Sequence, residues 1–142
     1  MIENRSVPVN VLLPHITYRD VAEASAWLAR VFGFREHYRY GVPASGMQMH
    51  LGAAWIMLDP ECDRKASAAR LGFGTQTLTL FVDDVEGHYA HAKSCGAAIV
   101  EEPHETVSGE FQYAAADLDG HLWIFSRHAR DIAPQDWGAY AP

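Results

Sequence analysis

Eight histidines and two cysteines hold most of the reactive side-chain chemistry in this 142-residue chain, and one pairing among them has a logic of spacing. His15 comes two residues after Leu13 in a run of apolar and β-branched residues, and Asp59 comes two residues after Met57 in a similar run. Side chains alternate across a strand, so each polar residue shares a face with the apolar residue two places before it. An imidazole beside a carboxylate could bind a metal or pass a proton. The plainer alternative is a histidine bonded locally next to Pro14 and an aspartate that ends a strand before Pro60. His121 follows Asp119-Gly120, a strong hairpin signal that accounts for it without a catalytic role. Cys62 lies between Glu61 and Asp63, a setting that disfavours a thiolate nucleophile. Asp117-Leu118-Asp119-Gly120 begins like a calcium loop, but its glycine comes too early and no glutamate closes it. Neither a Gly-x-Ser-x-Gly elbow nor a phosphate-cradling glycine loop is present. Glu101, Glu102 and Glu105, around Pro103 and His104, read as a solvated charged face.

These residues need a scaffold, and the composition bounds it. A chain of this length can bury a sizeable core, so one domain over residues 1–142 is expected. With 20% charged and 11% aromatic residues the chain is not of the disordered class, and no apolar run approaches the roughly 18 residues that span a bilayer. Residues 1–5 carry no basic region followed by an apolar stretch, so a cytoplasmic location is expected. Cys62 and Cys95 fit no redox or zinc spacing and read as free thiols. A net charge of −7 with scattered Lys and Arg argues against nucleic acid as a partner. It mildly favours cationic small molecules, while aid to solubility is the plainer explanation.

The elements repeat. Residues 9–18 read as a strand, and Pro14 makes it an edge strand or a bulged one. Asp20, with Glu23 three residues on, offers a helix cap; Val21, Ala24, Trp27, Leu28, Val31 and Phe32 keep helical spacing, and Gly33 ends the helix. Residues 34–40, 47–51 and 54–59 follow as an antiparallel meander. Residues 75–82 then alternate as a second first strand, Asp83-Asp84 opens a helix that closes at Gly96, and residues 97–101, 111–117 and 121–127 supply three more strands. Asp20-Val21 recurs as Asp84-Val85 and Gly33 as Gly96, so the chain holds two β-α-β-β-β units over 9–59 and 75–127. The expected fold is α+β, two such repeats forming curved mixed sheets around a cleft. Residues 60–74 form a linker or lid, and 128–142 a tail that packs on the body or on a second subunit.

Paired units of this kind, with Asp-Gly-His-x-Trp in the last hairpin, resemble the vicinal oxygen chelate superfamily of glyoxalase I, bleomycin-resistance proteins and extradiol dioxygenases. Tyr18-Arg19-Asp20-Val21 with Phe32-Gly33-Phe34, Phe81-Val82-Asp83-Asp84-Val85 with Gly96-Ala97, Glu102-Pro103 and residues 117–125 carry the resemblance, which covers residues 9–127. Metal-dependent members take His, Gln or Glu ligands from four inward strand positions. The resemblance places these at Leu13, Met57, Thr77 and Ile124, none of which is a usual ligand. No metal and no cofactor are therefore expected.

What remains is an apolar and aromatic surface. Leu13, His15, Trp55, Met57, Thr77, Thr79 and Ile124, with Phe111, Tyr113 and Phe73 as neighbours, suit a small aromatic guest held by stacking and a few hydrogen bonds. The same side chains could equally pack on one another and leave no cavity. The leading expectation is a metal-independent small-molecule-binding protein of the bleomycin-resistance type, homodimeric, with a role in resistance or sequestration and no enzymatic activity. The rival is a lyase, isomerase or dioxygenase that uses His15 and Asp59 for proton transfer or an unorthodox metal site. A third reading is a scaffold domain whose cleft is filled.

Overall fold

The computed structural model describes residues 2–8 and 11–142. Its elements run β1 (His15–Tyr18), α1 (Val21–Phe32), β2 (Arg35–Tyr40), β3 (Gly46–Leu51), β4 (Ala54–Pro60), α2 (Ala68–Leu71), β5 (Thr77–Phe81), α3 (Val85–Ser94), β6 (Ala98–Glu105), β7 (Glu110–Ala116) and β8 (Leu122–His128), with a 3-10 turn at Pro134–Trp137. Two four-stranded mixed sheets result, ordered β1-β4-β3-β2 and β5-β8-β7-β6. In each the first strand runs parallel to the last, which is what a β-α-β crossover followed by a meander produces. The fold is α+β, and neither sheet closes into a barrel. The chain divides into two compact units, residues 1–75 with 118–121, and residues 76–117 with 122–142.

The helix boundaries follow from capping chemistry. Asp20 accepts the Glu23 amide at 3.0 Å, and Gly33 closes α1 at φ +85°, where a side chain would be strained. Asp84 caps α3 through the Gly87 amide at 2.9 Å. The strand expected over 9–18 begins at His15; Val9 and Asn10 lie outside the described residues. β1 is an edge strand, and Pro14, just before it, needs no amide hydrogen: its carbonyl accepts Met57 N–H at 2.9 Å.

In the first unit, Ile16, Tyr18, Met47, Met49, Ile56 and Leu58 are buried on one face of the sheet, and Val21, Ala24, Leu28, Val31 and Phe32 of α1 are buried with them. Leu118–His121 belongs to this unit. Asp119 accepts the Arg19 amide at 2.7 Å and the Arg19 guanidinium at 2.8 and 2.7 Å. His121 is buried, with Nε2 2.7 Å from the Thr17 carbonyl and its ring edge-on to Tyr18. The turn motif is thus structural, as the sequence implied, but through tertiary bonds rather than the turn alone.

In the second unit, Leu80, Tyr113, Trp123 and Phe125 are buried with Val85 and Ala92 of α3. Trp123 Nε1 donates to Asp117 at 3.0 Å, and the Tyr113 and Phe125 rings stack. Residues 60–74 belong to the first unit and are tied down by their own hydrogen bonds. Glu61 accepts the Ser67 amide and the Arg70 guanidinium, each at 2.8 Å, Ser67 caps α2, and Ala69 N–H donates to the Asp119 carbonyl at 2.7 Å. Neither cysteine is in a disulfide.

Candidate functional site

The face of the first sheet opposite α1 gathers the polar and aromatic groups. Cross-strand register aligns His15 with Met57 and Thr17 with Asp59 between β1 and β4, and Gln48 with Met57 and His50 with Trp55 between β3 and β4. All of these therefore share one face. A bulge between Glu36 and Tyr38 in β2 adds one residue there. Consequently His37 reaches Trp55, 5.2 Å between centroids and edge-on, while Tyr38, next in sequence, stands opposite Gln48. His50 stacks on Trp55 at 4.6 Å. Tyr40 crosses the narrow point of β3 at Gly46, and its hydroxyl lies 3.1 Å from the Met57 sulfur. Tyr38 and Tyr40 remain about half exposed. At the His50 end, Gly33, Arg35, His50, Leu51 and Gly52 line a recess of about 410 Å³.

At the β1 edge of this face, His15 Nδ1 is 2.9 Å from Asp59 Oδ2, and Lys65 Nζ reaches the same oxygen at 2.8 Å. Partial burial pushes the Asp59 pKa up, but the hydrogen bonds and charges of Lys65 and His15 outweigh it and hold the carboxyl below the usual range. The Lys65 ammonium is raised in turn, chiefly by its bond to Asp59. Asp59 is therefore an ionised acceptor shared by two donors.

Of the residues expected at the site, His15, Trp55 and Met57 lie on this face of the first unit. Leu13 precedes β1 and has no register partner, so the strand parity assigned to it does not apply. In the second unit Thr79 stands beside Ile124, with Thr77 two residues back on the same face. Phe111 and Tyr113 require correction as neighbours of Ile124. The β7–β8 register pairs Tyr113 with Phe125 and Phe111 with Arg127, which puts both rings on the opposite face. Tyr113 is fully buried there, its hydroxyl 2.6 Å from His88 Nδ1, and burial raises its phenol pKa. Phe111 lies under the Arg127 guanidinium, 4.6 Å from its ring centroid. Phe73 is exposed beyond α2. Sequence reasoning missed His37, Tyr38, Tyr40, Gln48, His50 and Lys65; the available signal was Tyr38 and Tyr40 on either side of Arg39 in β2, and Gln48 and His50 alternating with Met47, Met49 and Leu51 in β3.

Among the described residues, no group of three or more His, Cys, Asp or Glu side chains comes together to hold a metal, nor is any helix long and apolar enough to cross a membrane. The sequence model of the Glyoxalase/Bleomycin resistance protein/Dioxygenase superfamily matches residues 10–125. The chain belongs to that superfamily. The crystal structure of TioX from Micromonospora sp. ML1 is similar at 30% identity, covering 82% of this chain and 97% of that one with a TM-score of 0.70. A glyoxalase/bleomycin resistance protein from Streptomyces sp. CB03234 shares the fold at 22% identity and a TM-score of 0.66, covering 81% of this chain and 97% of that one. An uncharacterized protein of Mycobacterium bovis is 26% identical over 130 residues, 85% of each chain.

Proposed function

We propose that this superfamily member is a metal-independent small-molecule-binding protein that sequesters an aromatic compound, as a resistance factor would. The observation that carries this reading is the layer formed by His37, Tyr38, Tyr40, His50 and Trp55 on the open sheet face, with Met57 beneath Tyr40. Rings held edge-on and face-on around an indole offer a flat guest stacking contacts. The thioether of Met57 in the first unit, and the hydroxyl of Thr77 and aliphatic side chain of Ile124 in the second, are not usual ligands for a divalent ion, which supports the metal-independent part. The net charge of −7 supports a guest with a basic group. In this reading the protein works as a cytoplasmic homodimer.

A thermal-shift screen against aromatic natural products and cationic drugs tests it. A guest that binds only the native state raises the melting temperature by mass action. For the best compound, Trp55→Ala should weaken affinity about thirtyfold by calorimetry, the loss typical of an aromatic anchor. Unchanged affinity in that variant would remove the aromatic layer from the argument.

One observation favours a second reading, proton-transfer catalysis: the 2.9 Å contact that orients His15 through Asp59. If it holds, His15→Ala abolishes turnover of a discovered substrate and leaves its binding intact.

A further inference from the structure

Arg5 and Ser6 bond to residues of the same face. The Arg5 carbonyl is 3.1 Å from His37 Nε2 and 3.4 Å from the Tyr38 hydroxyl, which donates to it. Asn4 Oδ1 accepts the Ser6 amide at 2.9 Å and shapes the turn. Ser6 Oγ accepts Gln48 Nε2 at 2.6 Å. Gln48 is only 2% exposed, yet its Oε1 has no hydrogen-bond partner among the described residues.

A carboxamide presents an acceptor and a donor side by side, and a buried one left half-paired costs free energy. Ser6 offers a single hydroxyl, which meets one of the two atoms. Rotating the amide by 180° would move the deficit from oxygen to nitrogen without removing it. A ligand with a carbonyl oxygen and an N–H on one edge would satisfy both. The cross-strand neighbours of Gln48 are Tyr38 and Met57, with Tyr40 over the Met57 sulfur, so a ring attached to that amide would lie on an aromatic and thioether floor.

We infer that Gln48 is an amide-recognition residue for an aromatic carboxamide, and that Arg5 and Ser6 occupy its place as an intramolecular stand-in which the ligand displaces. The inference rests on the binding reading above and adds to it the ligand's functional group and the segment that competes with it.

The test uses the full-length, isotopically labelled protein with two probes, naphthalene-2-carboxamide and 2-acetylnaphthalene, which share a ring system and a carbonyl but differ in the N–H. The carboxamide should bind several-fold tighter, shift the Gln48 side-chain amide resonances, and bind Ser6→Ala on the order of fivefold tighter still, because the competing hydroxyl is gone. Gln48→Met should erase the preference between the probes. Equal affinity for both probes in the wild type overturns the inference, as does a preference that survives in Gln48→Met or a carboxamide that binds Ser6→Ala no tighter. If both probes move the Trp55 indole N–H without discrimination, the binding reading stands and the amide inference falls. If neither moves it, both fall.

Discussion

Gly46 is where the candidate site and the stability of the first sheet meet, and replacing it gives a result whose sign depends on one other residue. A Cβ built on Gly46 collides with the Tyr40 side chain; its three nearest atoms are Cε2, Cζ and Oη of that residue. The Gly46 backbone is not among the positive-φ glycines, so alanine is conformationally admissible. In an open strand position it would be favoured over glycine by about 0.5–1 kcal/mol. With Tyr40 in place, the methyl group forces a ring that is 48% exposed to swing outward and lose its contact with Met57. Overpacking of this kind costs about 1–3 kcal/mol, and the exposed ring keeps it near 2. Gly46→Ala should therefore destabilise the wild type by about 1 kcal/mol and stabilise a Tyr40→Ala background by about 0.5–1 kcal/mol, a coupling of roughly 2 kcal/mol. Urea denaturation of the four chains, followed by circular dichroism and compared at equal m-values, measures it. Effects of Gly46→Ala that agree between the two backgrounds to within about 0.5 kcal/mol would refute the reasoning, because independent sites add to that precision.

Two further outcomes follow from the buried and shared carboxylates. Asp59 has a folded-state pKa below its unfolded value, so its contribution is complete above the ordinary carboxylate range near 4 and drains away as pH falls through the folded value. The gap in melting temperature between wild type and Asp59→Asn should accordingly be widest near pH 6 and close towards pH 3. A gap that widens on acidification would reverse the assignment. Trp123→Phe keeps a ring beside Phe125 but removes the indole N–H that donates to buried Asp117. It should cost about 1–3 kcal/mol in denaturant titration, while a cost below about 0.5 kcal/mol would show that this bond carries little stability.

Much of the architecture could be read from local chemistry. Asp20 with Glu23 and Gly33 marks α1 at both ends, Asp84 opens α3, and the repeated Asp-Val and Gly positions announce the duplication before any strand pairing is known. Those signals are set by residues within a few positions of one another. The site was less legible because its composition depends on register. One extra residue in β2 sends His37 and Tyr38 to the same Arg5 carbonyl, which alternation alone would forbid. Gln48 alternates with Met47 and Met49, so the sequence reads it as an ordinary polar residue on the outer face of a strand, and its importance comes from what pairs with its amide. Phe111 and Tyr113 are separated from Ile124 by a shift of one place in the β7–β8 pairing, the step that moves a side chain from one face to the other. His15 with Asp59 was legible because both lie on the adjacent, parallel strands β1 and β4.

The turn at Leu118–His121 bears on how a duplicated chain can be taken apart. A fragment ending at residue 75 would keep every strand of the first repeat, but it would lack the carboxylate that clasps Arg19 and the imidazole that seals Tyr18 and Thr17. The repeats have ceased to be interchangeable modules. Gene splitting or repeat shuffling in this lineage should succeed only where the break leaves residues 118–121 with the amino-terminal piece, or restores them by complementation from the other.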